Sequence, residues 1–270
     1  MVVAVQEKPA AQPARRPKRA KPETTIVFAT VEQVERYRPH IQRVTLTSPE
    51  FTGFITDVPD QFITFIFPTG DRKAPAVGRD FDWDRWFETE EASRPHARNY
   101  TVRYWRPESN QVVVDMILHG DEGKGSVWAE EAEPGDALVI WGPRMAYDPP
   151  PNATWQLLIG DDTGLPAIAA ILEHLPSSTR ALVIAEVGSP EDEYPLASDA
   201  DVEITRLYRG DRPPGRSNAL IDAVRAVEQP ADEVRYAWGG GEFRTMQAIG
   251  KYLRRECGFR PSDVATIGYW

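Results

Sequence analysis

The chain of 270 residues is poor in the groups that build crosslinks and metal centres. Cys257 is its only cysteine, which excludes an intramolecular disulfide, an iron–sulfur cluster held by cysteines and a cysteine-rich zinc site. A lone thiol fits a reducing compartment, and the expected location is the cytoplasm. The four histidines, at 40, 96, 119 and 174, have no ligand-like spacing, so no protein-bound metal is expected. No apolar run reaches the roughly 18 residues that a membrane-spanning helix needs. The first 22 residues lack the apolar stretch of a secretory signal and instead carry six Lys/Arg against one Glu. Residues 1–23 are therefore expected to be a disordered basic leader. The rest of the chain carries a net charge of about −15, which argues against nucleic acid as the main partner.

What is present falls into two grammars. From 24 to 147, six β-branched and aromatic runs (24–37, 41–48, 61–67, 99–105, 111–118 and 137–143) are bounded by Pro, Gly, Asp or Asn. They predict a six-stranded antiparallel Greek-key barrel. A long polar segment with several aromatics, 69–97, interrupts them; its "DFDWDRWF" run is read as a stacking lid or as a loop packed on the barrel. The prolines of 148–154 mark a linker, because they neither continue a helix nor pair in a sheet. From 155 to 270, strands at 155–160, 181–187, 201–208, 233–241 and 264–270 alternate with helices at 165–176, 217–230 and 242–258. That order predicts an α/β domain with a parallel sheet. The stretch 188–200 is short for a helical crossover, so one connection is expected to be abbreviated.

Two stretches carry chemistry. "RNYTVR" puts Arg98, Tyr100, Thr101 and Arg103 on one strand. A flavin dinucleotide would use a cation for its pyrophosphate, a ring against ribityl and isoalloxazine, and a small donor near N5, in the order Arg98, Tyr100, Thr101. An ordinary barrel strand with an exposed arginine and a half-buried tyrosine would carry the same residues. The second stretch, 119–136, leaves a strand at His119, passes Gly120, Gly123 and Gly125, and opens a helix at Ser126. Glycines permit close backbone approach to a phosphate, and a helix N-terminus offers free N–H groups. Ser126 suits either a cap or a phosphate ligand. The glycines at 239–241 again precede a helix, and Glu242 at its start would repel a phosphate. The nicotinamide half of a dinucleotide is therefore expected near Gly240 and Glu242.

The runs "RNYTVRYW", "DMILHGDEGKGSVWAEEAEPGDALVIWGPR", "LLIGDDTGLPAIAAILEHLP" and "WGGGEFRTMQAIGKYLRRECGF…IGYW" together resemble the siderophore-interacting proteins. These are flavin-dependent ferric-siderophore reductases, distantly similar to ferredoxin–NADP reductases. The resemblance covers about 24–270. It implies FAD on the barrel, held by Arg98, Tyr100, Thr101, Val102, His119, Gly123, Gly125, Ser126, Val127 and Trp128. It also implies that Asp161, Thr163 and Leu165 lie near the adenosine or the domain boundary. Two departures stand out. "GKGS" replaces the family's Gly-Pro-Ala-Ser, so Lys124 is either a phosphate contact or an exposed lysine. The family continues past "GYW" into a basic segment that this sequence does not contain.

The expected activity is electron transfer from NADH or NADPH through FAD to Fe(III) in a siderophore, with Thr101 and Tyr100 shaping the reacting centre. The acids of "EVGSPEDEY" (186–194) suit a ribose 2′-hydroxyl and favour NADH, although Arg206, Arg209 and Arg212 are not far off. Lys73, Arg94 and Arg103 are candidate substrate contacts. A ferredoxin is a further candidate electron partner, and neither nucleic acid nor a membrane is expected to be one. Two other functions fit the same residues: a flavin reductase serving a separate acceptor protein, and a non-catalytic siderophore-binding protein.

Overall fold

The computed structural model describes residues 23–56, 58–118 and 123–270. The leader before residue 23, and His119, lie outside the described residues. The first sheet is antiparallel throughout. It comprises β1 (Thr25–Arg38), β2 (Ile41–Thr47), β3 (Phe62–Ile66), β4 (Ala97–Thr101), β5 (Tyr104–Arg106), β6 (Gln111–Ile117) and β7 (Ala137–Arg144). Their order is β4-β3-β7-β1-β2-β6-β5, so the last strand inserts between the first and the third. Alternating apolar residues, among them Val44, Leu46, Ile63, Phe65, Val112 and Val114, turn inward and form one core. Each large aliphatic or aromatic side chain so buried contributes roughly 1.5–3 kcal/mol.

Six expected strands become seven segments because the strand expected at 99–105 breaks at Val102–Arg103. The Val102 amide donates to Gln61 O (2.7 Å) and the next amide, Arg103, donates to Val113 O (2.8 Å). Neighbouring amides thus serve opposite edges of the sheet, and one bent run of chain closes the barrel. Alternation of side chains is the same on both sides of such a bend, so the sequence pattern does not reveal it. Within the long segment, α1 (Trp83–Glu88) is capped by Asp82. Trp83 packs edge-on against Trp141 of β7 at 5.4 Å. The aromatic run is therefore packing on the barrel's outer face.

The second sheet is parallel, with β8 (Trp155–Asp161), β9 (Arg180–Val187), β10 (Asp201–Tyr208), β11 (Arg235–Gly241) and β12 (Val264–Gly268) in the order β10-β9-β8-β11-β12. All seven residues of β8 are buried, as a central parallel strand covered on both faces requires. Helix α3 (Leu165–Glu173) packs in the apolar cluster on one face; α4 (Ala219–Arg225) and α5 (Phe243–Arg255) pack in the cluster on the other. The β9–β10 crossover holds only a single 3₁₀ turn, Pro190–Asp192, as its length suggested. The strand order reverses at β8, so the carboxyl ends of β8 and β11 are where such a sheet binds ligands.

The two sheets share an interface. Ile41 of β2 and Tyr147, which follows β7, belong to the same apolar cluster as α3. A chain of charges crosses beside them. Arg43 grips Asp115 through two bonds (2.7 and 2.8 Å), Tyr194 donates to Asp115, and Arg103 donates to Tyr194 (3.2 Å) and to both oxygens of Glu173 (2.7 and 2.5 Å).

Candidate active site

On β4, Arg98 and Tyr100 share a face and Thr101 takes the other. The Tyr100 ring lies 4.8 Å from Phe65 and 6.3 Å from Phe67, and burial pushes its phenol well above the usual range. Phe67 in turn packs on Trp128 at 5.3 Å. Trp128 belongs to α2 (Lys124–Glu131), which starts two residues before Ser126. Gly123, not Ser126, is the N-cap, and it makes no side-chain cap bond. Ser126 is already within the first turn and buried, its hydroxyl 3.5 Å from Ile117 O. This corrects the expected cap: the chain turns at Gly123, and the serine falls three positions past it.

An anion fits this helix end. The first-turn amides of an α-helix have no intrahelical acceptor, and the first turn of α2 holds no acidic residue. A Cβ on Gly125 would strike the Tyr100 hydroxyl, so glycine is what allows ring and helix end to meet. Lys124 and Arg98 stand near enough to His96 that, after burial, their charges hold its imidazole below its usual value. Arg98 itself reaches the Ala97 carbonyl (2.8 Å). Cations, free amides and a flat ring are gathered here, as a dinucleotide pyrophosphate and its flavin require. Val127 is half-buried in the same helix, and Val102 is buried in the barrel core beyond the ring.

Thr101 is buried and faces the second domain. The Tyr269 hydroxyl, from beyond β12, lies beside Thr101 and beside Asp60, but forms no bond of ordinary hydrogen-bond geometry with either. Asp60 has a left-handed backbone (φ 60°) and is wholly buried. Its Oδ2 accepts from the Ala146 amide (3.0 Å), the Tyr147 amide (2.9 Å) and Trp238 Nε1 of β11 (3.1 Å). Burial raises its carboxyl to about 7 despite those donors. Sequence reading missed Asp60, Trp238 and Tyr269 as site residues. The signals were an aspartate in the turn before β3 and the terminal "GYW".

At the carboxyl ends of β8 and β11 the expected residues are largely occupied by one another. Asp161 accepts from Thr163 N (3.0 Å), Thr163 Oγ1 (2.5 Å), Glu242 N (2.8 Å) and Trp270 Nε1 (3.2 Å). Both of its oxygens are spent on protein donors, so Asp161 and Thr163 tie strand ends together. Leu165 is buried in the apolar cluster that also takes in Ile41 and Tyr147, at the domain boundary. A Cβ on Gly240 would meet Trp238 and the Tyr269 ring, so this glycine permits close packing beside the site. Glu242 caps α5, accepting from Arg244 N (2.9 Å) and Thr245 N (2.7 Å). Its carboxylate fills the place where a phosphate would bind.

The three candidate substrate cations are not brought together. Arg103 is buried, and its guanidinium is committed to Glu173 and Tyr194 across the domain interface. Lys73 reaches Asp136 (2.7 Å) and Pro134 O (3.3 Å), pinning the long segment to the turn before β7. Arg94 donates to the Phe87 and Thr89 carbonyls (both 2.7 Å) and lies over Trp86 at 4.8 Å, closing α1. Near the end of β9, Glu186 is buried beside Ser217 (3.2 Å), Arg209 is paired with Asp162 (2.5 Å) and Arg206 with Glu193 (2.9 Å).

Comparison with known proteins agrees with this geometry. Residues 30–147 match the siderophore-interacting FAD-binding domain, and residues 153–270 match the siderophore-interacting protein domain. Ferric vibriobactin reductase ViuB of Vibrio cholerae is 31% identical over 86% of this chain and 84% of its own. The NADPH-dependent ferric-chelate reductase of Escherichia coli is 27% identical over 95% and 97%. A siderophore utilization protein from T. fusca, 29% identical, superposes with a TM-score of 0.79 over 93% of this chain and 94% of that one. With its two domain matches in sequence and a barrel facing a parallel sheet across a buried interface, the chain belongs to the siderophore-interacting protein family.

Proposed function

We propose that this protein is an FAD-dependent ferric-siderophore reductase, with FAD on the barrel (24–147) and NAD(P)H on the parallel-sheet domain (155–270). Bound flavin would supply the chemistry that neither protein domain has, acceptance of a hydride and release of electrons one at a time. The first turn of α2, Arg98 and Lys124 hold the pyrophosphate. Tyr100 offers its ring to the flavin, and Thr101 offers its hydroxyl at N5. Glu242, by occupying the α5 end, leaves the carboxyl edge of β11 to the nicotinamide rather than to a phosphate. The iron arrives and leaves with its chelator, so no protein ligand is required. Reduction favours release because hard oxygen donors hold Fe(II) less tightly than Fe(III).

The observation that carries this reading is the placement of buried Thr101 against Tyr269, next to the carboxyl edge of the parallel sheet. One domain's flavin contact thereby meets the other domain's nucleotide edge. The paired state of Arg206 and Arg209, together with buried Glu186, supports NADH over NADPH, because a 2′-phosphate would have to displace existing ion pairs. We place the protein in the cytoplasm on its lone thiol. The test is spectroscopic. Purified protein should show a flavin spectrum, bleach anaerobically with NADH faster than with NADPH, and then release chelatable Fe(II) from a ferric siderophore. Folded protein that stays colourless and takes up no added FAD would overturn the function. Prompt reoxidation by a ferredoxin but not by ferric siderophores would make it a reductase for a protein acceptor.

A further inference from the structure

The Asp60 carboxyl has an unusual setting for a group that only holds a turn. It is wholly buried, and three N–H groups from the outgoing chain and from β11 converge on Oδ2. Oδ1 receives none, and the neighbouring Tyr269 hydroxyl is equally without a bond of ordinary geometry. Buried polar atoms left unmet are costly and call for an explanation. Here the Tyr269 hydroxyl lies beside the Asp60 carboxyl at the domain interface, and beside Thr101 as well.

We propose that Asp60 is the proton acceptor of the flavin reaction, reached from the flavin through the hydroxyls of Thr101 and Tyr269. The inference rests on the flavin reading above. Delivery of two electrons, one to each of two Fe(III) ions, from a bound reduced flavin would leave one proton to be removed from N5. Thr101 Oγ1 takes that proton and passes its own to Tyr269, and Tyr269 passes its own to Asp60 Oδ1. Two Fe(III) become two Fe(II), the N5–H bond is broken, and the carboxylate becomes a carboxylic acid. The acid returns its proton to water between turnovers. A carboxyl raised to about 7 by burial is matched to both steps near neutral pH. The titratable groups facing it are tyrosines, Tyr147 after β7, Tyr236 on β11 and Tyr269 after β12; Asp161 faces Tyr269 from the end of β8, with both of its oxygens engaged by protein donors. A tyrosine is neutral near pH 7, so none of them competes for the proton.

The test uses FAD-loaded protein reduced with one equivalent of NADH and mixed rapidly with excess ferric citrate. Wild-type reoxidation should rise roughly tenfold from about pH 6 to about pH 8, since only the carboxylate accepts a proton. Asp60→Asn keeps an oxygen for the three donors but cannot take a proton. It should be flat across that range and roughly tenfold slower at the upper end. Tyr269→Phe, which breaks the line without touching the carboxyl, should behave alike. In the apoprotein, the infrared difference between wild type and Asp60→Asn should contain one carboxyl stretch titrating near pH 7, distinct from that of Asp162, which burial raises to about 6, and Tyr269→Phe should retain it. Should Asp60→Asn fail to fold, the Tyr269→Phe kinetics and the wild-type infrared titration decide. A wild-type pH profile retained in either variant, or a carboxyl that titrates with ordinary acids, overturns the proposal and leaves the reductase standing. Protein that neither binds FAD nor is reduced by NADH overturns both.

Discussion

Arg103→Met separates two accounts of one residue. As a substrate contact, Arg103 would matter for binding; as an interface clamp, it matters for folding. The structure permits an estimate of the second effect. The Arg103 side chain is 5% exposed and Glu173 is 33% exposed. Breaking a fully buried pair costs about 3–5 kcal/mol, and partial exposure of Glu173 lets its stranded charge rehydrate, which lowers the figure. Loss of the bond to Tyr194 and of the stack over Tyr104 at 4.1 Å adds about 1–2 kcal/mol. The expected loss is about 2–4 kcal/mol, read as a shift in the denaturant midpoint. A cycle with Glu173→Gln should show a coupling of roughly 1–3 kcal/mol, because the two groups share bonds. The KM for a ferric siderophore should stay near its wild-type value. An unmoved midpoint with a KM raised roughly tenfold, equivalent to about 1.4 kcal/mol of binding, would refute the reasoning and restore Arg103 to the substrate.

Thr101→Val should slow flavin reduction by NADH roughly tenfold, if one positioned hydrogen bond is worth about 1.4 kcal/mol; stopped-flow kinetics with full FAD occupancy checks this. Gly125→Ala drives a methyl into the Tyr100 hydroxyl, whose ring is held by Phe65 and Phe67, so it should cost about 1–3 kcal/mol and weaken FAD binding measured by calorimetry. Asp60→Asn should alter the pH dependence of apoprotein stability in a defined direction. The carboxyl is raised from 3.8 to about 7 in the fold, so its contribution is intact below about pH 4 and is lost as pH climbs through about 7. Relative to wild type, the variant should therefore gain about 2–4 kcal/mol between about pH 4 and about pH 8, the opposite of what loss of an ordinary salt-bridged acid would give. Equal pH dependence in the two proteins would exclude the raised carboxyl.

Much of the architecture was legible locally. Period-two runs and helical runs marked each major strand and helix, because both patterns follow from where neighbouring side chains point. The Arg98–Tyr100–Thr101 order and the glycines before α2 were legible for the same reason: they lie within a few consecutive residues, in the part that matches an FAD-binding domain. The assignment that failed, Ser126 as the helix cap, depended on register. The helix starts directly after Gly123, which lies three residues before the expected cap.

The primary sequence by itself determined a barrel followed by a parallel sheet, a cysteine-poor chain, and a strand with the residues a flavin needs. Only the tertiary structure decided which arginine of that strand is buried, where the strand bends, and which acid lies beside Tyr269. Arg103 and Glu173 are 70 residues apart in sequence, and Asp60 and Trp238 are 178 apart. No local periodicity encodes such meetings. They arise when two separately folded faces dock, and the water each charge loses there fixes whether it becomes a clamp, a cap or a proton acceptor.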